Sequence, residues 1–393
     1  MKSVGVFLGV DPSAGGMFQY CRSVLEGLRG AHAAGCRVEV AYVEPLWEPI
    51  LADFPFRAAR LQGGRLGLKM ASALMAMRLG LGATRLLTRR LNPIARQLRR
   101  LGCELWIFPS QDALGYQLDM PVVSSIHDLM HRYEPQFPEV AQAGRFRIRE
   151  HRFGHLARSA RAVLVDSAMG RRHVVESYGV APDKVFPLPY VAPEYIFAPE
   201  PPDFEARYPL PPKFLFYPAQ FWPHKNHARL LEAAAIARAR CPDIHLVFSG
   251  GQRHAFEDVR AQAARLGLAS RVSFPGYVPD AYLSGFYRRA RAMMMPTFFG
   301  PTNIPPLEAF ACGCPAAVSD NYGMPEQADG AALLFDPRSV EEIAGAIERL
   351  WQDDDLCREL AGLGRRNAAR WSQREFGAGL RAILESTAAP AHS

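Results

Sequence analysis

Short apolar runs alternate with stretches of helical period along almost the whole chain. The pattern predicts strands at Val4–Val10, Val38–Val43, Leu105–Phe108, Val122–Ile126, Ala162–Val165 and Val185–Leu188. It predicts a second series at Phe214–Tyr217, His245–Phe248, Val272–Phe274, Ala292–Met295, Ala316–Val318 and Ala332–Phe335. Several runs lack inside/outside alternation, as expected of parallel strands buried on both faces. Strands alternating with helices predict βαβ units and open, doubly wound α/β sheets.

Between the two series lies a proline-dense, aperiodic stretch, from Ala192-Pro193 through Pro199, Pro201 and Pro202 to Pro209, Pro211 and Pro212. It reads as a linker. The predicted organisation is an N-terminal Rossmann-like domain over 1–195, a linker over 196–212 and a C-terminal domain over 213–369. In such sheets ligands bind beyond the carboxyl ends of the strands. Two sheets facing one another would place that site in a central cleft.

At 393 residues, 49% apolar and 22% charged, the chain fits two globular α/β domains and not a disordered protein. The apolar opening breaks at Asp11-Pro12, so it reads as a first strand rather than a leader. No run approaches the roughly 18 apolar residues of a membrane span. The seven cysteines are scattered without zinc-ligand spacing, and Cys312-Gly313-Cys314 reads as packing in a small-residue helix. A reducing, cytoplasmic setting is expected.

The net charge of +7 is unevenly placed. From Phe54 to Cys103 there is no Asp or Glu, while Arg57, Arg60, Arg65, Lys69, Arg78, Arg85, Arg89, Arg90, Arg96, Arg99 and Arg100 alternate with Leu, Met, Ala and Ile. A basic, amphipathic, mostly helical segment suits an anionic membrane surface at the inner membrane. The plainer reading is a solvated cationic face. A nucleic-acid partner is not expected, because neither a recognition motif nor interleaved aromatics accompany the charge.

Two segments carry candidate chemistry. Phe214–Tyr217 runs into a loop with Gln220, His224, Lys225 and Asn226, and a helix follows. A lysine at the carboxyl end of a strand, before a helix, is placed to hold a diphosphate. Taken alone, it reads better as a surface lysine in a turn. Met293–Met295 runs into Gly300-Pro301-Thr302-Asn303-Ile304-Pro305-Pro306-Leu307-Glu308, where the prolines can open a helix. Gly300 and Asn303 permit unusual backbone angles, so the loop can offer N–H groups to phosphate or sugar oxygens. Glu308 can accept hydrogen bonds from a ribose diol, or simply suit the helix dipole.

Together these segments resemble the C-terminal half of the retaining GT-B glycosyltransferases of family 4, the "glycosyl transferases group 1". The family's Lys-Asn motif matches Lys225-Asn226, and its glycine pair matches Gly250-Gly251. Its Val-x-Phe-x-Gly-x-Val segment matches Val272 to Val278. Its Pro-Leu-Glu-Ala-x-Ala-Cys-Gly helix matches Pro306 to Gly313, and its Leu-Leu-Phe-Asp-Pro segment matches Leu333 to Pro337. The resemblance implies that Lys225 binds the donor diphosphate and Glu308 the ribose hydroxyls. It implies that backbone at Tyr277 reads the base, and that Thr302, Asn303 and Ile304 hold sugar and phosphates through N–H groups. It further implies that a last helix over 370–393 packs back on the N-terminal domain, with Trp371 as a packing anchor.

Two positions depart from the family. The first Glu of its Glu-x7-Glu falls on Gly300, and its Arg five residues before the Lys falls on Gln220. Diphosphate neutralisation would then rest on Lys225 with His224. In the N-terminal half, the loop Val10 to Met17 with Gly15-Gly16 resembles the family's Gly-Gly loop, and Ile126-His127-Asp128 resembles its His-Asp segment. The implied activity is retaining transfer of a hexose or deoxyhexose, mannose or rhamnose favoured, from a nucleoside diphosphate sugar. The implied acceptor is a lipid-linked or growing polysaccharide or lipopolysaccharide glycan. No cofactor is implied. The run Asp353-Asp354-Asp355 reads as a solvated acidic turn, so no divalent metal is expected. A non-catalytic sugar-nucleotide-binding scaffold is the alternative.

Overall fold

The computed structural model describes residues 2–11 and 15–388. It divides into two compact units, one of 1–190 with 373–393 and one of 191–372.

The first unit holds seven parallel strands: β1 (Ser3–Leu8), β2 (Arg37–Tyr42), β3 (Arg57–Arg60), β4 (Leu105–Phe108), β5 (Val122–Ser125), β6 (Ala162–Val165) and β7 (Val185–Pro187). Their order is β3-β2-β1-β4-β5-β6-β7. The second unit holds β8 (Leu215–Pro218), β9 (Leu246–Ser249), β10 (Val272–Gly276), β11 (Ala292–Met295), β12 (Ala316–Ser319) and β13 (Leu333–Phe335). All pair in parallel in the order β10-β9-β8-β11-β12-β13. Chain direction across each sheet reverses beside its first strand, so β1/β4 and β8/β11 are the switch points where such sheets bind ligands. The doubly wound α/β class expected from the pattern is the observed one.

Burial explains the non-alternating runs. Every residue of β1, β4, β5, β6, β9, β11 and β12 is buried. The strands β7, β10 and β13 are partly buried, and β3, whose sequence Arg-Ala-Ala-Arg has no apolar face, lies mostly exposed at the sheet edge and, among the described residues, pairs with β2 alone. A polar edge strand gives no hydrophobic signal, and its charges discourage further pairing.

The stretch 196–212 is not a free tether. Ile196, Phe204 and Tyr208 are buried in the second unit's core, and Phe204 packs edge-on against Phe286 at 5.3 Å. The prolines break the period without preventing these aromatics from docking. The last helix, Gln373–Ala388, packs within the first unit against Gly16–Ala33. Close approach at Gly27 and Gly377, and Gln373 Nε2 donating to Ser23 O at 2.8 Å, fix that contact.

Candidate functional site

The loops leaving β8 and β11 are stitched together. Lys225 ends a short 3-10 turn, Pro223–Lys225, and Asn226 follows in the left-handed region with φ of 60°. The Asn226 amide donates to the carbonyls of Pro296 and Pro337, at 2.8 and 2.9 Å, and is 3% exposed. Both amide hydrogens are therefore used in joining three loops, and this fixes the turn that carries Lys225. Phe298 N donates to His224 O at 2.8 Å, and the His224 ring stacks on Phe299 at 4.0 Å.

Lys225 Nζ donates to Asn303 Oδ1 at 3.1 Å. Among the described residues no carboxylate lies within ion-pair distance of it. Burial lowers its pKa to about 8, because the ammonium gives up water without gaining a counter-ion. A cation held this way is short of an anion.

Gly300 and Asn303 explain each other. Gly300 has φ of 121°, and a Cβ there would stand 2.8 Å from Asn303 Nδ2. The Asn303 side chain fills the space that a longer side chain at 300 would need, and its amide donates to Gly300 O at 3.2 Å. The Asn303 backbone is clamped by Gln327: Asn303 N donates to Gln327 Oε1 at 3.0 Å, and Gln327 Nε2 donates to Asn303 O at 2.7 Å. The Asn303 N–H, expected to face substrate, is thus already used. Pro305 and Pro306 have none, which leaves the N–H of Ile304 at the first position of the helix Ile304–Cys312. Thr302 is buried in the same turn.

Glu308 is 3% exposed, and both of its oxygens accept phenolic hydrogens. Tyr195 OH donates to Oε1 and Tyr287 OH donates to Oε2, the latter at 2.6 Å. Burial raises the carboxyl to about pH 7, against the lowering effect of the two hydroxyls. Tyr195 therefore stands where a ribose hydroxyl was expected. Sequence reasoning missed both tyrosines; Tyr195 lies in the proline-dense stretch and nothing local marks it as a partner of Glu308.

At the other side of β8, Gly250 has φ of 144°, and a Cβ there would meet Ala219 O at 2.3 Å. Its N–H donates to Gly276 O at 2.8 Å, so the Gly250-Gly251 turn brings the loops after β8, β9 and β10 together. Tyr277, next in line, is 72% exposed. Gln220 Oε1 accepts from Trp222 Nε1 at 3.0 Å and from Arg253 Nε at 3.1 Å.

In the first unit, Gly15 precedes the helix Gly16–Ala33 with φ of 62°, and a Cβ there would meet nothing within 4 Å among the described residues. Residues 12–14 of that loop lie outside the described residues. His127, just past β5, is 7% exposed. Its Nε2 lies 2.8 Å from Pro109 O, which can only accept, so Nε2 carries the hydrogen. Burial lowers its pKa, keeping the ring neutral, and Nδ1 is a buried acceptor with no partner among the described residues. Asp128 accepts from Arg149 and from Met130 N.

Asp353 accepts from Leu356 N and caps a helix, Asp354 pairs with Arg291 at 2.6 Å, and Asp355 pairs with Arg358. Among the described residues no helix is long and apolar enough to cross a membrane.

Residues 203–367 match the family described as "Glycosyl transferases group 1". The O-antigen chain mannosyltransferase B of Escherichia coli is 31% identical over 162 residues, 40% of this chain and 42% of that protein. A serotype-specific mannosyltransferase WbdA of Escherichia coli is 25% identical over 225 residues, 54% of this chain and 27% of that protein. The chain thus spans less than half the length of these curated relatives. The crystal structure of Anabaena Alr3699/HepE in complex with UDP and glucose superposes with a TM-score of 0.74 at 15% identity, covering 98% of this chain and 100% of that one. Strand order and these matches agree: the chain has the GT-B fold, and its residues 203–367 match the glycosyl transferases group 1 family.

Proposed function

We propose that the protein is a retaining glycosyltransferase that moves a hexose or deoxyhexose from a nucleoside diphosphate sugar to a hydroxyl of a glycan. The observation that carries this reading is Lys225, a desolvated ammonium without a carboxylate, at the β8/β11 switch point beside the start of the helix Ile304–Cys312. A diphosphate supplies the missing charge. Mannose is the favoured sugar, with rhamnose next, since two relatives are named as mannosyltransferases. The acceptor is a growing polysaccharide or lipid-linked glycan.

In the reaction, the bond from the anomeric carbon to the diphosphate oxygen breaks as the acceptor oxygen bonds on the same face. The acceptor hydroxyl proton passes to the departing phosphate. Lys225 and the Ile304 N–H stabilise charge on that leaving group, a contribution of ~100–1000-fold in rate for one such donor. His127 Nδ1, an acceptor without a partner among the described residues, takes a hydrogen from a sugar hydroxyl held by the first unit. Glu308 receives the ribose diol once Tyr195 yields its place. In this reading the reaction needs no divalent metal, and the run Asp353, Asp354 and Asp355 serves for capping and exposed ion pairs. Chelator that stopped transfer would contradict that point.

The helices Gly64–Met77, Leu81–Leu91 and Pro93–Leu101 supply the membrane-facing surface in this reading. Leu66, Met77, Leu86 and Leu91 are exposed there. Lys69, Arg78, Arg89, Arg90, Arg96 and Arg100 have no carboxylate within 4 Å among the described residues, whereas Arg65 pairs with Glu44 and Arg99 with Asp119. Cations beside exposed Leu and Met suit anionic lipid. Vesicle co-sedimentation should rise with anionic lipid content; indifference to it would refute the docking.

The reading is tested by thermal-shift measurements against GDP-mannose, dTDP-rhamnose, UDP-glucose, UDP-galactose and UDP-N-acetylglucosamine. A ligand that binds only the native state raises the melting temperature. One donor should do so, and Lys225→Ala should erase the shift. Binding without any transfer or donor hydrolysis would favour the scaffold alternative.

A further inference from the structure

The Gln220 position raises a question of charge. A nucleoside diphosphate brings more negative charge than one ammonium neutralises, and His224, the expected second contributor, is stacked on Phe299. The structure supplies another cation at this place. Arg253 lies in the loop after β9, just beyond Gly250-Gly251, and its Nε donates to Gln220 Oε1 at 3.1 Å. Its guanidinium carbon stands 5.6 Å from the centroid of the Trp222 ring. The same Gln220 oxygen takes the Trp222 indole hydrogen at 3.0 Å, so the amide orients both groups.

These contacts use one edge of the guanidinium. Among the described residues, neither Nη1 nor Nη2 has a hydrogen-bond partner, and no carboxylate lies within 4 Å. The fork is therefore anchored at Nε and open at the end that matches phosphate oxygens. Most other arginines of the second unit that make contacts have their Nη groups on carbonyls or carboxylates, as Arg240, Arg289 and Arg291 do. Arg253 and Lys225 stand on the loops after adjacent strands β9 and β8, at the carboxyl edge of one sheet. The glycine geometry at 250 brings the Arg253 loop against Ala219 and Gln220.

We propose that Arg253 is a second ligand of the donor diphosphate, oriented by Gln220 and Trp222. This rests on the glycosyltransferase reading. Two cations then share the leaving group: Lys225 from within the loop and Arg253 from across the glycine turn. Gln220 is a positioning residue, replacing a charge by holding one that comes from 33 positions later in the chain.

The test is isothermal titration of GDP, UDP and dTDP, and of the corresponding nucleosides, into the full chain and into Arg253→Gln, Arg253→Lys, Gln220→Ala and Lys225→Ala. Arg253 is exposed, so the variants should fold, and unchanged melting temperature without ligand checks this. For the preferred base, Arg253→Gln should weaken diphosphate binding about 10-fold or more, the usual weight of a charged hydrogen bond. Nucleoside binding should hold within about twofold. Arg253→Lys should recover part of the loss, and Gln220→Ala should lose less than Arg253→Gln. If Lys225→Ala abolishes diphosphate binding while Arg253→Gln leaves it intact, the Arg253 assignment is wrong and the donor-site reading stands. If diphosphate and nucleoside binding fall equally in Arg253→Gln, its role is structural and the assignment is wrong. If no diphosphate binds the unaltered chain, both readings fall.

Discussion

Replacing Lys225 by Met should make the ligand-free protein more stable and leave it unable to bind its donor. Burial moves the Lys225 pKa from 10.5 to about 8. At ~1.4 kcal/mol per pKa step, that displacement corresponds to about 3 kcal/mol against the charged form below pH 8. Part of the side chain meets solvent, and the bond to Asn303 is lost in the variant, so a net gain of about 1–2 kcal/mol is expected. The direction with pH follows from linkage. The folded pKa is depressed, so between pH 8 and 10.5 the unfolded chain binds more protons, and stability rises with pH across that window. Thermal melts of the unaltered chain should show this rise from pH 7.5 to 10, and Lys225→Met should lack its share. A diphosphate should restore the ammonium, so binding near pH 8.5 should take up protons, measurable by titration calorimetry in buffers of different ionisation enthalpy. A Lys225→Met variant that melts lower at pH 7, keeps the same pH slope and still binds a diphosphate would show that Lys225 is neither a destabilising buried cation nor a diphosphate ligand.

Other residues of the site give further expectations. Glu308 has its pKa raised to about 7 against an ordinary 4.5, so its ionisation opposes folding: stability should fall as pH rises from 4.5 to 7, and Glu308→Gln should flatten that part of a melting-temperature profile while reducing transfer by at least ~10-fold. Asn226→Ala removes two buried hydrogen bonds at a left-handed residue and should cost about 2–4 kcal/mol in urea unfolding, with Asn226→Gly recovering the backbone part. Gly300→Glu, the change toward the family pattern, should cost about 1–3 kcal/mol and weaken donor binding through Asn303 rather than improve it. Tighter donor binding by Gly300→Glu, read by titration, would contradict the packing described.

The doubly wound sheets were legible because buried parallel strands leave dense apolar runs, as at Leu105–Phe108 and Ala292–Met295. The edge strand Arg57–Arg60 was not, since a strand with little buried surface has no such run. The loop of Lys225 was legible from a cation between a strand and a helix. The partners that decide its chemistry were not. Asn303 reaches Lys225 from 78 positions away, Tyr195 reaches Glu308 from 113, and Gln327 takes the Asn303 N–H that was expected to face substrate. Such pairs are made by folding and carry no local period. The linker shows the same limit from the other side: prolines announced a break in regularity, yet Phe204 and Tyr208 bury there.

The most direct measurement follows donor and product by NMR, with GDP-mannose and the four other donors, in the presence of a lipid-linked glycan extract. One donor should be consumed, with the new linkage keeping the donor's anomeric configuration and the rate lost in Lys225→Ala. No consumption above the Lys225→Ala rate for any donor would contradict glycosyl transfer from these donors, and a product of opposite anomeric configuration would contradict the retaining mechanism.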